Sequence, residues 1–373
     1  TVTATQTSFL DFAAGTKSAS LTVNSNAPAP APTFSTSFAN VTKNYLDSSF
    51  ALVSPVSNSI GAFSFTSNNT AVATINPATT INALQFNGTT NFIDFGANIT
   101  EFGKASFTIE FWIKTTGTSM GLLNCQDSDT TWELGEKSMY IDSAGLPAFV
   151  GFGNNWIYSN LAVNDNAWHH IAVIWAYTSG TSGTGTIYID GIDRTNTGYP
   201  YPYFASNNNF GTFVFGKPNN SESANYFNGA VCELRIWNIA RSATDIFQNY
   251  RRMLVGNESG LVAYNRFNQG TASGTNTGVT TVTNNKTSGG YTGTLSGSFV
   301  LTGSSSNWVS GLSIRPTNDV NVVGSGSATI TVTQASTSDY SSQTASATLT
   351  VNPIAPTIST WTIADVSFGV SPF

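Results

Sequence analysis

The chain has 373 residues, a formal net charge of −6, 9% charged side chains and 12% aromatics. An acidic chain whose only adjacent basic pair is Arg251–Arg252 is not built for nucleic acid, and no run of about 18 apolar residues exists to enter a bilayer. Its Thr, Val, Ile and aromatic runs, broken by Gly, Asn, Pro and Ser, exclude a disordered chain and predict an all-β one.

Residues 1–24 (TVTATQTSFLDFAAGTKSASLTVN) align without a gap to residues 329–352 (TITVTQASTSDYSSQTASATLTVN), with 13 of 24 positions identical. Similar segments follow the two copies, PTFSTSFANV after the first and PTISTWTIADVSF after the second. Self-similarity at a fixed period reads as a tandem array. The chain is therefore expected to start in one repeat, contain a complete one and stop early in a third. The Pro-rich segments NSNAPAPAPTF (24–34) and NPIAPTI (352–358) fall at equivalent places, where alternating proline makes a semi-rigid spacer.

The complete repeat, about 25–352, is too long for one sandwich of roughly 100 residues. Its ends, 33–75 with SFTSNNTAVATI and 313–351 with VNVVGSGSATITVTQ, read as two parts of one sandwich. The stretch between them reads as a second unit inserted in a loop, which is cheap when the guest's ends lie close together. The expected boundaries are 1–24 for the second half of a repeat, 25–76 and 312–352 for the interrupted sandwich, 77–311 for the insertion, and 353–373 for the next repeat.

Within the insertion, SFTIEFWIKT (106–115) alternates apolar and polar residues and predicts a strand with one buried face. AWHHIAVIWAY (167–177) and GTIYIDGI (185–192) predict two more, with the Gly/Ser/Thr run 178–185 as the turn between them. GAVCELRIW (229–237) is a further strand. One helix is expected next: Ser242 can cap, Asp245 lies three residues on, and Ile246, Tyr250, Met253 and Leu254 follow helical spacing. Cys125 and Cys232 can pair or stay free, and spacing decides neither.

The segments LQFNGTTNFIDFG (84–96), FTIEFWIKT (107–115), NAWHHIAVIW (166–175), IYIDG (187–191), FNGAVCELRIWNIARSATDI (227–246), GLVAYNRFN (260–268) and GTLSGSFVLTGSSSNWVSG (293–311) carry a family resemblance. In order and spacing the insertion resembles the laminin-G-like, concanavalin-A-like jelly rolls, in the branch that also looks like pentraxins. The resemblance implies two antiparallel sheets whose first and last strands pair, bringing residues near 80 and 310 together. The flanking SNNTAVATI … VGSGSATITVTQ resembles the Ig-like repeats of bacterial and viral adhesins. The expected fold class is therefore all-β: a laminin-G-like jelly-roll sandwich inserted into an Ig-like β-sandwich, flanked by partial Ig-like repeats.

Candidate chemistry is sparse. Trp168-His169-His170 holds the only two histidines, and adjacent strand residues point to opposite faces, so a structural role is expected rather than a shared metal. Glycoside hydrolases need two carboxylates flanking the scissile bond. Glu133 and Glu136 would face opposite sides of one strand and Glu110 stands alone, so no catalytic residue is expected. QDSDTTW (126–132) offers carboxylates suited to a hard cation. Pentraxins place a dense acid and amide run where this chain reads KPNNSES, which argues against their double calcium site. The segment QDSDTTW reads either as a polar turn between strands or as a site for a single Ca2+ at Asp127 and Asp129, with Asn219.

YPYPYF (199–204) and GNNWIY (153–158) supply aromatics in expected loops, which makes Trp156, Tyr199, Tyr201 and Asn154 the candidate ligand-binding residues. Sequons occur at Asn40, Asn68, Asn87, Asn98, Asn219, Asn257 and Asn285. Together these readings point to a non-enzymatic fibre or adhesin segment, extracellular at a cell or virion surface. A cell-surface glycan, a protein receptor or neighbouring fibre subunits are its expected partners. A calcium-assisted lectin module is the alternative.

Overall fold

A computed structural model describes residues 2–6, 15–19, 29–97, 99, 102, 105–126, 131–132, 136–151, 155–180, 182–197, 211–219 and 225–356 of the chain. Two eight-stranded sheets enclose one large apolar core. The first sheet runs in the order Ile192–Asp193, Ser182–Ile189, Trp168–Ser179, Phe107–Lys114, Asn228–Trp237, Thr79–Asn87 and Trp308–Ile314, with Leu261–Asn265 also paired to Asn228–Trp237. The second runs Asn155–Tyr158, Pro147–Gly151, Lys137–Ile141, Met120–Gln126, Thr212–Phe215, Phe92–Ala97, Gly293–Ser296 and Thr281–Val282. All pairings in both sheets are antiparallel, the pattern of a jelly-roll sandwich. Thr79–Asn87 and Trp308–Ile314 are partners, with Thr80 opposite Ser313.

Phe107–Lys114 corrects the expectation of one buried face, for seven of its eight residues are buried. Phe107, Ile109, Phe111 and Ile113 enter the core between the sheets. The opposite face is covered by the chain that follows Trp237. Thr108 Oγ1 donates to the Ile239 carbonyl at 2.8 Å, and Trp112 Nε1 donates to the Tyr250 carbonyl at 2.9 Å. A second correction concerns the run 178–185. The strands Trp168–Ser179 and Ser182–Ile189 extend through it, with Ser179 opposite Ser182.

The helix spans Ala243–Asn249. Ser242 Oγ accepts the Asp245 N–H while the Asp245 carboxylate accepts the Ser242 N–H, a reciprocal box closed by Asp instead of Glu. Met253 and Leu254 lie beyond its end. Cys125 and Cys232 are both buried, lie on different sheets and are not joined to each other, and burial pushes the pKa of the Cys232 thiol well up.

The strands that precede and follow the two large sheets pair with one another. Phe63–Ser67 pairs with Gly326–Gln334, which pairs with Gln343–Asn352, and Val41–Asn44 adds alongside in parallel. Ala73–Ile75 pairs with Val320–Val322. Leu52, Val72, Val320, Ile330, Leu349 and Val351 form their own core. Near the N-terminus, Val2–Gln6 pairs with Gly15–Ala19, placing Val2 opposite Ala19. The aligned residues 328 positions on, Ile330 and Ala347, are opposite each other in the same way. The two copies of the repeat thus share one hairpin register.

Candidate functional site

Three edge strands of the second sheet build the candidate site. Met139, Phe149 and Ile157 are aligned in register and point into the core. Side chains alternate along a strand, so the neighbouring rows lie on the opposite face: Tyr140–Ala148–Tyr158 and Ser138–Val150–Trp156. The rings of Tyr140, Trp156 and Tyr158 are half-buried there, and Trp156 contacts both tyrosines. Tyr140 meets Trp156 edge-on, with centroids 5.7 Å apart at 87°, and Trp156 lies 6.3 Å from Tyr158.

A carboxylate borders these rings. Tyr158 Oη donates to Asp142 Oδ2 at 2.7 Å, and Asp142 Oδ1 accepts the N–H groups of Ala144 and Leu146, each at 2.8 Å. Asp142 is fixed by its own turn, in which Gly145 supplies the left-handed conformation (φ 84°). A ring cluster beside an oriented acceptor can stack on an apolar ring face and take hydroxyl donors at its edge.

Of the residues read from the sequence, Trp156 falls in this cluster, but in the strand Asn155–Tyr158 rather than in a loop. Asp127, Asp129, Asn154, Tyr199, Tyr201 and Glu133 lie outside the described residues. Asn219 is buried in a segment laid across Met120–Gln126. Asn124 Nδ2 there donates to the Lys217 and Pro218 carbonyls at 2.8 and 2.9 Å, and a Cβ on Gly121 would sit 2.3 Å from Pro218 Cα. Among the described residues no group of three or more His, Cys, Asp or Glu could hold a metal ion. Tyr158 lies within the aromatic segment GNNWIY but is not among the candidates read from the sequence, and neither are Tyr140 and Asp142. The period-two spacing of Trp156 and Tyr158 was the available signal; Tyr140 becomes their neighbour only through strand pairing.

The carboxylates beneath the helix are committed elsewhere. Asn228–Trp237 bulges between Cys232 and Arg235, with Glu233 at φ 56°, and this sets Arg235 opposite Glu110. Glu110 Oε1 accepts from Trp237 Nε1 and Arg241 Nη1, both at 2.7 Å, and Oε2 accepts from His170 Nε2 at 3.1 Å. Burial pushes its pKa up, yet Arg241, the His170 hydrogen bond and Arg235 outweigh burial and hold it well below the usual carboxylate range. Burial lowers the His170 pKa despite Glu110, so at neutral pH its imidazole is a neutral donor. Arg235 Nη2 binds Glu233 at 2.8 Å, and Tyr264 Oη donates to the same carboxylate oxygen at 2.9 Å.

A cleft of about 400 Å3 opens beside this network, lined by Trp237, Arg241, Asp245, Arg252, Leu254 and Glu258 among others. Its two carboxylates serve the backbone: Asp245 closes the helix cap, and Glu258 accepts the Val255 and Gly256 N–H groups.

A laminin G-type family model, that of the concanavalin A-like lectin/glucanases superfamily, matches residues 87–247. No curated protein is significantly similar to the chain. Among solved structures, the chain is similar to a candidate carbohydrate-binding protein of Bacteroides ovatus, at 18% identity and a TM-score of 0.40, over 58% of each chain. It is also similar to the heptameric SAP-like pentraxin of Limulus polyphemus, at 16% identity and a TM-score of 0.32, over 45% of this chain and 80% of that one. A third is the CBM40 of the Ruminococcus gnavus IT-sialidase bound to α2,3 sialyllactose, at 12% identity and a TM-score of 0.34, over 48% of this chain and 97% of that one.

Proposed function

We propose that the chain is a non-enzymatic adhesive segment of a surface fibre. In this reading Ig-like repeats form the stalk, and a laminin-G-like jelly roll displayed on it binds a cell-surface glycan over Tyr140, Trp156 and Tyr158. The observation that carries the glycan reading is the contact of these three rings on the face turned away from the core, with Asp142 at their edge. The stalk reading is supported by the shared hairpin register of the two repeat copies and by the pairing of Phe63–Ser67 with Gly326–Gln334. A non-catalytic role is supported by Glu110, Glu233, Asp245 and Glu258, whose carboxylates already hold arginines or backbone N–H groups. Location at a cell or virion surface belongs to the same proposal, as does a Ca2+ held by Asp127, Asp129 and Asn219.

The test is binding of the purified chain to a glycan panel that includes sialyllactose. Trp156→Ala should weaken the bound glycan at least tenfold, about 1.4 kcal/mol, with an unchanged melting temperature. Silence across the panel, or binding indifferent to Trp156→Ala, would overturn the glycan reading.

A further inference from the structure

The four-stranded flanking sheet has one face packed on its core and one turned outward. The outward positions of Gly326–Gln334 are Ser327, Thr329, Thr331 and Thr333, and those of Gln343–Asn352 include Thr344, Ser346, Thr348 and Thr350. Phe63–Ser67 adds Ser64 and Thr66, and Val41–Asn44 adds Thr42. The register joins them into continuous rows: Thr66–Thr331–Ser346, Ser64–Thr333–Thr344, Thr329–Thr348 and Ser327–Thr350–Thr42. None of these eleven positions carries a charge. Thr331 and Ser346 share a hydrogen bond of 2.9 Å across the strands.

The repeat preserves this pattern. Outward positions 329, 331, 333, 344, 346, 348 and 350 are Thr, Thr, Thr, Thr, Ser, Thr and Thr; the aligned residues of 1–24 are Thr, Thr, Thr, Thr, Ser, Ser and Thr. The alternate positions are less constant: Gln343 aligns with Gly15 and Ala345 with Lys17. Exposed positions usually tolerate substitution at little cost. Threonine suits a strand, but so do Val, Tyr and Ile, and strand preference alone does not choose hydroxyls at seven places out of seven.

We propose that this hydroxyl face is a lateral contact surface whose partner is the same face on a second copy of the chain. Hydroxyls, and the amides of Asn44 and Asn352 at the end of the rows, both donate and accept, so an uncharged face of such groups is complementary to itself, which a charged face is not. Two copies of a chain with net charge −6 can meet there without opposing charges at close range. Strands of 4, 5, 9 and 10 residues, about 4.8 Å apart with a rise of about 3.4 Å per residue, give roughly 450 Å2, below the ~800 Å2 per partner of a stable interface. One repeat therefore associates weakly, and successive repeats presenting the same face add avidity. The inference rests on the repeat stalk of the proposed function and not on its glycan site.

Sedimentation of the chain over rising concentration tests it. The wild type should move from monomer to dimer with a dissociation constant between about 10 µM and 1 mM. The pair Thr344→Glu/Thr348→Glu should weaken this at least tenfold, and so should Thr344→Lys/Thr348→Lys, while an equimolar mixture of the two should associate again. Recovery in the mixture separates repulsion at the face from misfolding. Trp156→Ala should leave the mass unchanged, so a lost glycan site and a lost contact are read separately. A wild type monomeric at about 1 mM, Glu variants that dimerise as it does, or a mixture that stays monomeric overturns the proposal. Glycan binding lost with the Glu pair but kept in Trp156→Ala would make the face a glycan surface and overturn it as well.

Discussion

Arg252, three residues past the helix, forms an ion pair of 2.7 Å with Asp319, which lies between the last strand of the large sheets and the flanking sheet. The same carboxylate binds Arg315 at 2.9 Å and accepts the Leu52 N–H at 2.7 Å. Arg252 also donates to the Leu52 and Thr317 carbonyls. Burial and the neighbouring Arg315 push the Arg252 pKa down to about 10, with Asp319 opposing. One carboxylate thus separates two guanidiniums at the junction of the jelly roll with its flanking strands. Asp319→Ala should cost about 3–5 kcal/mol in urea unfolding, because it leaves both arginines buried without their partner. A loss below about 1 kcal/mol, the range of an exposed pair, would show the junction to be open to water.

Glu110 plays the corresponding part beneath the helix, facing Arg241, Arg235, His170 and Trp237. Glu110→Ala should destabilise the fold by about 3–5 kcal/mol and leave glycan binding of the folded fraction unchanged. Reduced affinity at full stability would show Glu110 to be part of the binding site.

The two histidines should give opposite pH dependences. Burial works against charge on His169, but hydrogen bonds and charge from Asp190 (2.8 Å) and Asp165 (3.0 Å) outweigh it and raise its pKa. Its contribution is complete below about 6.5, the ordinary histidine value, and is lost as pH rises through the higher folded value. His170, among Glu110, Arg235, Trp112 and Tyr250, has a lowered pKa. The unfolded chain takes up its proton first, so stability falls as pH drops below about 6.5. In melting curves between about pH 5 and 8, the range in which histidine titrates, His169→Asn should reduce the decline on the alkaline side and His170→Gln the decline on the acid side. Parallel profiles for wild type and both variants would refute these assignments.

Gly121 tests how closely the Lys217–Asn219 segment lies on the sheet. A Cβ there would stand 2.3 Å from Pro218 Cα, so Gly121→Ala should cost about 1–3 kcal/mol by overpacking. Ala at Gly180, where a Cβ meets nothing within 4 Å but φ is 56°, gives a comparison in which only backbone conformation changes the stability. Equal losses at the two positions in urea unfolding would show that the segment yields to the added methyl.

The calcium proposal is checked by melting in Ca2+ and in chelator. Ligand at 100 times its dissociation constant adds about 2.7 kcal/mol, so a rise in melting temperature is expected, and Asp127→Asn/Asp129→Asn should erase it. An unchanged melting temperature would remove calcium from the proposed function.

Much of the architecture is legible in local pattern. The helix cap at Ser242 and Asp245 and the strands over 107–114 and 229–237 follow from spacing that a chain imposes on itself within a few residues. The burial of Glu110 does not. Its place in an alternating strand reads as a solvent-facing position, and only the chain from Trp237 to Arg252, folded back over that face, makes it an ion-pair centre. Trp156 was visible as an aromatic among asparagines, whereas Tyr140 and Asp142 join it through pairing with strands whose sequence separation says nothing of contact.

By itself the sequence determined the β character, the duplicated hairpin and the hydroxyl pattern of its alternate positions, because a strand's period of two and a repeat's period are both written along the chain. Tertiary structure alone decided which strand faces are covered and which carboxylates meet arginines. Coverage depends on distant segments arriving at a face, and a charge becomes a partner or a ligand site only once its neighbours exclude water.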